Sequence, residues 1–238
     1  GTTPSTSLVL LQAQQKLNEF ATPMNPRYAT VNPAANAGLV EGLKGLFNPT
    51  GTISRQFKNG MMGEGVLGLD EINMSQSIVQ HTTGVTPTAP IVATAVSTQG
   101  ATSLAISFTS GSPTFKIGDV FTIAGVYAVN PQTRQSTGAL QQFVVTADVT
   151  VSSTTTATLT VQPPIFTPAN ALATVDSFPA ASAVLTFLGG SATTYPQNLI
   201  YHKDAITLAT ADLLLPQGVD MASRQVHNGI SLRIVRQY

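Results

Sequence analysis

The sequence holds no cysteine and no tryptophan in its 238 residues. Without cysteine there is no disulfide scaffold, no thiolate metal site and no thiol nucleophile. Charge is scarce as well: 9% of the residues are Asp, Glu, Lys or Arg, against about 25% in an ordinary soluble domain. Eleven basic and eleven acidic side chains cancel, so bulk charge does not attract nucleic acid and no charged tail is present. No apolar run approaches the ~18 residues that a membrane-spanning helix needs. No basic segment precedes the apolar stretch Leu8–Leu11, so no secretory signal is visible. The first residue is Gly1 rather than methionine, as expected of a processed or excised piece.

What is present is a hydrophobic fraction of 42%, enough for a packed core and too much for wholesale disorder. A core-forming chain with so little surface charge has weak protection against association. The combination predicts a protein that lives among partners or copies of itself.

The composition changes twice along the chain. Residues 1–84 carry ten of the 22 charges and nearly all of the helical pattern. Ser5 or Ser7 is the expected cap of a helix with the apolar face Leu10, Ala13, Leu17 and Phe20, ended by Pro23 and Pro26. Asn32–Pro33 is a second start, a cap followed by proline at the first helical position. Leu39, Leu43, Leu46 and Phe47 supply its stripe and Asn48–Pro49 stops it. Gly38, Gly42 and Gly45 each weaken that helix by up to about 1 kcal/mol relative to alanine, so packing must hold it. Ile53 and Phe57 suggest a helical turn, and Val66–Met74 reads as one bent strand.

Residues 85–195 contain only Lys116, Asp119, Arg134, Asp148 and Asp176 as charges, and are rich in Ser and Thr. Alternation argues against low complexity. Leu104, Ile106 and Phe108 alternate with small polar residues, as do Phe121 and Ile123, Phe143 and Val145, Leu159 and Val161, and Leu185 and Phe187. Period two with β-branched residues means half-buried strands. Turn signals fall at Gly111–Ser112–Pro113, Ile117–Gly118–Asp119, Asn130–Pro131, Ser136–Thr137–Gly138 and Gln162–Pro163–Pro164. Short strands so spaced predict a small barrel or sandwich. Residues 196–238 regain charge. Leu199–Tyr201 and Ile206–Leu215 read as strands around a Lys203–Asp204 turn, and Asn228–Gly229 between strand-like runs is a strong hairpin signal, because both turn positions need positive φ. Mixed helix and strand, then an all-β block, then strand again describes an all-β insertion in an α+β host.

No motif carries chemistry. Gly63–Gly68 spells G-x-G-x-x-G, but a dinucleotide loop needs a preceding strand, a following helix and an acidic residue about 20 positions on; after Glu71 the next carboxylate is Asp119. His81, His202 and His227 show no metal-ligand spacing and read as hydrogen-bonding or surface groups. There is no G-x-S-x-G elbow and no phosphate-binding G-x-x-x-x-G-K. Asp70–Glu71 and Asp204–Asp212 offer no acid/base logic. Basic residues do not cluster until Arg224, Arg233 and Arg236, and Arg233 and Arg236, three apart on a strand, face opposite sides and form no phosphate stripe. The residues predict no catalytic, cofactor or metal site. The positions singled out are structural turns: Gly118 and Asp119, and Asn228 and Gly229.

Two stretches resemble a known family. Lys116–Val126, followed by Val129–Pro131 and Gln141–Val145, is similar to the insertion domain of major coat proteins of short-tailed, double-stranded DNA phages with the Hong Kong 97-like shell fold. Asn198–Ile206, Leu215–Pro216 and Gly229–Val235 resemble the return into the shell domain, and Gly60–Gly68 before Leu69–Asp70 resembles the approach to the insertion. The resemblance implies an α+β chain: an axial shell domain from residues 1–84 and 196–238, interrupted by an all-β, barrel-like insertion domain at 85–195. It implies a structural protein, not an enzyme, without cofactor. Copies would self-assemble as pentamers and hexamers into an icosahedral head, with scaffolding and portal proteins as partners. Encapsidated DNA would be touched only non-specifically, and no membrane is involved. The protein would be found in the virion, and in the host cytoplasm during assembly. No candidate appears for the family's N-terminal arm or long spine helix, so the chain is expected to be a fragment. From other classes come two rivals. One is a secreted or surface β-rich adhesion or binding module, suggested by the Thr/Ser-rich strands; the other is a hydrolase with a scattered triad.

Overall fold

The computed structural model describes residues 3–42, 60, 63–152 and 154–237. It divides into two compact units, Gly1–His202 and Lys203–Tyr238. Its described residues are mostly β, with two α-helices.

Helix α1 is Ser7–Glu19. Its N-cap is Thr6, in extended conformation and without a side-chain cap bond, so neither Ser5 nor Ser7 caps it, and Ser7 is already helical. Leu10 is buried and Ala13 and Leu17 are half-buried. Phe20 lies just past the helix and stays exposed, with the Lys16 ammonium 4.8 Å over its ring. Strand β1, Arg27–Val31, follows, with Arg27, Ala29 and Val31 buried. Helix α2, Pro33–Gly42, is capped by Asn32, whose Oδ1 accepts the Ala35 N–H at 3.1 Å. Leu39 is buried on its inner face. The expected continuation through Leu43, Gly45, Leu46 and Phe47, its stop at Asn48–Pro49 and the turn at Ile53 and Phe57 lie outside the described residues. The α2 glycines have a packing reason. A Cβ on Gly38 would sit 2.5 Å from the Pro4 carbonyl oxygen, and one on Gly42 would sit 2.1 Å from that of Ser5. The segment before α1 lies on the bare backbone of α2.

Val66–Met74 is not one bent strand. Strand β2, Gly63–Val66, and strand β3, Leu69–Met74, form an antiparallel hairpin. Its turn is Leu67–Gly68, both at positive φ. Glycine at 68 removes the usual steric penalty there, and the chain reverses instead of bending.

Strands β4 (Gln80–Thr82), β5 (Ile91–Val92), β6 (Ala101–Ser107) and β7 (Thr114–Phe115) come next, followed by β8 (Val120–Val129), β9 (Ser136–Val145) and β10 (Val149–Thr150). The remaining strands of the first unit are β11 (Thr156–Ile165), β12 (Leu185–Phe187), β13 (Thr194–Pro196) and β14 (Leu199–His202). Six of these make a sheet in the order β12-β8-β9-β11-β6-β5. Its two edges meet. Ile91 bridges Val184, the Val92 N–H donates to the Ala183 carbonyl, and the Leu185 N–H donates to the Pro90 carbonyl. Closure into a barrel removes the open edges. Inward positions along every strand fill it: Leu104 and Ile106, Phe121 and Ile123, Phe143 and Val145, Leu159 and Val161. The Phe121 and Phe143 rings stack at 5.8 Å and Phe187 tilts against Phe121 at 5.3 Å.

Two expected turns lie inside strands. Ser136–Gly138 opens β9, where Gly138 has φ +76° near an irregular β8–β9 register. Pro163–Pro164 lies in β11, whose register with β6 shifts between Thr160 and Ile165. Proline has no N–H for the ladder, so the strand bulges there rather than ending.

A second sheet, in the order β14-β1-β3-β2, pairs β1 antiparallel with β14 and parallel with β3. With α1 and α2 it encloses a smaller core of Leu10, Ala29, Val31, Ala35, Leu39, Leu69 and Ile72.

The second unit begins with a 3-10 turn, Lys203–Ala205. Ile206–Leu215 is not a strand; it runs without regular structure. No neighbouring strand offers it a ladder within the unit. Its bonds go instead to a hairpin of β15 (Met221–His227) and β16 (Ile230–Arg236). Thr210 Oγ1 donates to the Gly229 carbonyl, the Leu213 N–H donates to Ser231 Oγ, and Arg224 and Arg233 donate to the carbonyls of Leu213 and Leu214. None of the unit's described residues is buried.

Candidate functional site: the barrel neck and the open hairpin

Chain leading into the barrel and chain leading out of it run side by side. Strands β4 and β13 pair antiparallel, Gln80 with Pro196, His81 with Tyr195 and Thr82 with Thr194. Thr83 extends this neck: its hydroxyl donates to the Gly190 carbonyl at 2.6 Å and accepts the Thr193 N–H at 3.0 Å. The Ala192 N–H closes back on the Gly84 carbonyl.

Asp119 joins the neck to the barrel. It is 5% exposed. Its carboxylate accepts the Lys116 N–H at 2.8 Å, inside its own turn, and the Gly84 N–H at 3.1 Å, across from the neck. A third partner is His81 Nε2, at 2.9 Å from Oδ1. A buried carboxylate is tolerated only when donors surround it, and here three do. Gly118 lies beside this cluster at φ +97°. A Cβ there would meet the His81 ring at 3.3 Å. The position therefore favours glycine twice, through its backbone and through the imidazole packed against it. Gly84 is still tighter, since a Cβ would fall 1.7 Å from the Thr114 carbonyl oxygen. An open cleft of about 740 Å³ lies alongside, bordered by His81, Thr83, Gly118, Gln142 and Tyr195.

Asn228 and Gly229 form the turn of the β15–β16 hairpin, with φ +48° and +77°. Register places Ile230, Leu232 and Ile234 on one face with His227, Gln225 and Ser223. Ser231, Arg233 and Val235 share the other face with Val226, Arg224 and Ala222. Arg224 and Arg233 stand directly opposite each other, which is unfavourable for like charges. Carbonyl oxygens from residues 213 and 214 receive both guanidiniums, and Asp212 lies 3.9 Å from Arg224. The first face keeps Leu232 and Ile234 exposed.

The remaining chemical candidates are scattered. His202 Nε2 lies 3.3 Å from the Asn25 carbonyl, and His227 is exposed on β15. Asp70 accepts the Arg27 N–H at 2.7 Å. The G-x-G-x-x-G run occupies β2 and its turn and leads into β3, not a helix. Among the described residues no group of three His, Asp or Glu could hold a metal ion, and no helix is long and apolar enough to cross a membrane. Sequence reasoning missed His81 and Gly84 as partners of Asp119. Their separation of 35 to 38 positions follows no local period. It also missed Arg27, whose 2% exposed side chain donates to the carbonyls of Pro23 and Thr22.

Comparison with known proteins adds a family. The sequence profile described as "P22 coat protein - gene protein 5" matches residues 9–238. A solved structure described as "CUS-3 coat protein I-domain" is 28% identical, covering 43% of this chain and 97% of its own, with a TM-score of 0.32. No curated protein sequence matches.

Proposed function

The chain belongs to the P22 coat protein family, and from that premise we propose how it is built into a phage head. It is a structural major capsid protein of a tailed bacteriophage, and copies of it self-assemble into the shell. The match over residues 9–238 carries this conclusion. A β-rich adhesion module is not favoured beside it.

Residues 1–84 and 196–238 supply an axial domain of the Hong Kong 97-like shell fold, and residues 85–195 are the insertion domain. The small α/β core around Leu39 and Ile72 supports the first assignment, and the closed barrel supports the second. Gly118 and Asp119 fasten the barrel to its neck, and Asn228 and Gly229 close the hairpin. None of the four takes part in a reaction. We assign the protein no catalysis, because its family is structural. Scaffolding and portal proteins are its partners in assembly, which takes place in the host cytoplasm. Zero net charge suits a shell that must enclose DNA without gripping it.

Electron microscopy of the full-length gene product, expressed with and without a scaffolding protein, tests the proposal. Closed shells of uniform size are expected in at least one condition. Soluble monomer in both, with no particles, would return the chain to the binding-module reading.

A further inference from the structure

The two cores of the first unit are separate. Among the described residues, one apolar cluster runs from Val92 to Phe187, and the other combines residues 10–72 with Ile200. They have no residue in common. Polar groups link them instead. One link is the His81–Asp119 pair, 2.9 Å long, which ties the barrel to the β4–β13 ribbon that leads to the smaller core. Another is Asn130, in the turn between β8 and β9, whose Nδ2 donates to the Glu19 carbonyl at 2.8 Å. Glu19 ends α1, and carbonyls of a last helical turn have no partner within the helix. Asn130 fills one of these orphan acceptors from outside.

Two bodies joined by a large apolar interface move as one, whereas bodies joined by a short ribbon and a few hydrogen bonds do not. We propose that the barrel is a rigid body on a hinge, the β4–β13 ribbon, and that His81–Asp119 and Asn130–Glu19 are two latches that set its orientation. Neither latch builds the barrel core. His81 lies on the ribbon, outside the six-stranded sheet. Asn130 organises its own turn through Oδ1, which accepts the N–H groups of Gln132 and Thr133. Only its Nδ2 reaches α1. Releasing both latches leaves the Gly84 N–H on Asp119, at the barrel end of the ribbon, and frees the barrel to pivot at β4–β13 while each body stays folded.

The absence of cysteine makes the test clean. Gln12→Cys on α1 and Thr158→Cys on β11, both at exposed positions, accept spin labels on the two bodies of the full chain. The parent should give one narrow distance distribution. His81→Ala with Asn130→Asp removes both donors, while aspartate keeps the Oδ1 acceptor of the turn. The expected result is a broad distribution with an unchanged cooperative melt. His81→Gln, with Asn130 intact, restores a donor to Asp119 and should keep the narrow distance. A narrow distribution in the doubly unlatched protein would overturn the proposal. So would loss of its cooperative melt, which would make the latches folding elements rather than setters of orientation.

Discussion

One carboxylate wires the turn at 116–119 to the neck, and its replacement separates the kinds of bond it makes. Asp119→Ala leaves the Gly84 N–H, at a buried residue, without an acceptor. An orphaned buried donor costs about 1–3 kcal/mol. Asp119→Asn keeps one carbonyl oxygen but turns an amide toward donors. Thermal melts of the full chain should therefore rank parent above Asn above Ala. An alanine variant as stable as the parent would mean that water replaces the carboxylate. Gly118→Val should fall into the same range, about 1–3 kcal/mol for a β-branched residue forced to positive φ, with the His81 ring adding to the strain. The sequence marks Gly118 and Asp119 as a turn because the glycine follows an apolar residue and precedes a strand pattern. Nothing in it marks His81 or Gly84 as what the aspartate meets, since a contact made across 35 positions leaves no spacing to read.

Helix α2 sets two element-level effects against each other. Gly38→Ala should help the helix by about 1 kcal/mol on propensity alone. Yet the new Cβ would lie 2.5 Å from a backbone oxygen of Pro4, which cannot swing aside as a long side chain would. The clash wins: a lower melting temperature is expected, together with faster proteolysis of residues 3–6 as that segment is pushed off. A rise in stability would show that the N-terminal segment does not hold its seat in solution. The same competition decides which elements the sequence reveals. Strands β6, β8, β9, β11 and β12 are legible because their inward residues are large, apolar and spaced by two. Strand β1 is not, because two of its three buried positions are Arg27 and Ala29. Arg27 reads as polar surface, although backbone carbonyls satisfy it inside. Ile206–Leu215 fails the other way. Its composition suits a strand, but a strand needs a partner ladder, and within its unit only side chains and isolated backbone groups bond to it.

Over the whole molecule, apolar surface is unevenly covered. The barrel core closes on itself, with Phe121, Ile123, Phe143 and Leu159 fully buried. A fragment of residues 80–196 should therefore melt cooperatively with a β-type circular dichroism spectrum; a non-cooperative signal would show that the barrel depends on the rest of the chain. The second unit has the opposite character. Ile206 is 80%, Leu214 82% and Ile234 74% exposed, and a two-stranded hairpin alone is marginal in water. So large an apolar exposure suits a surface that another body covers, and we predict that in the shell a neighbouring copy supplies that cover. Leu232→Glu with Ile234→Glu tests this in the full-length coat protein. Both positions share the open face of the hairpin, so the substitution leaves the β15–β16 ladder and the Arg224 and Arg233 bonds in place. If a neighbour covers the face, each carboxylate must be buried without a partner on assembly, at a cost of about 3–5 kcal/mol. Sedimentation and electron microscopy should then find subunits but no shells, while the melt of the dissociated subunit matches the parent. Shells in parental yield would place the face on the outside of the particle. A subunit melt that falls together with assembly would place the face inside the subunit's own fold.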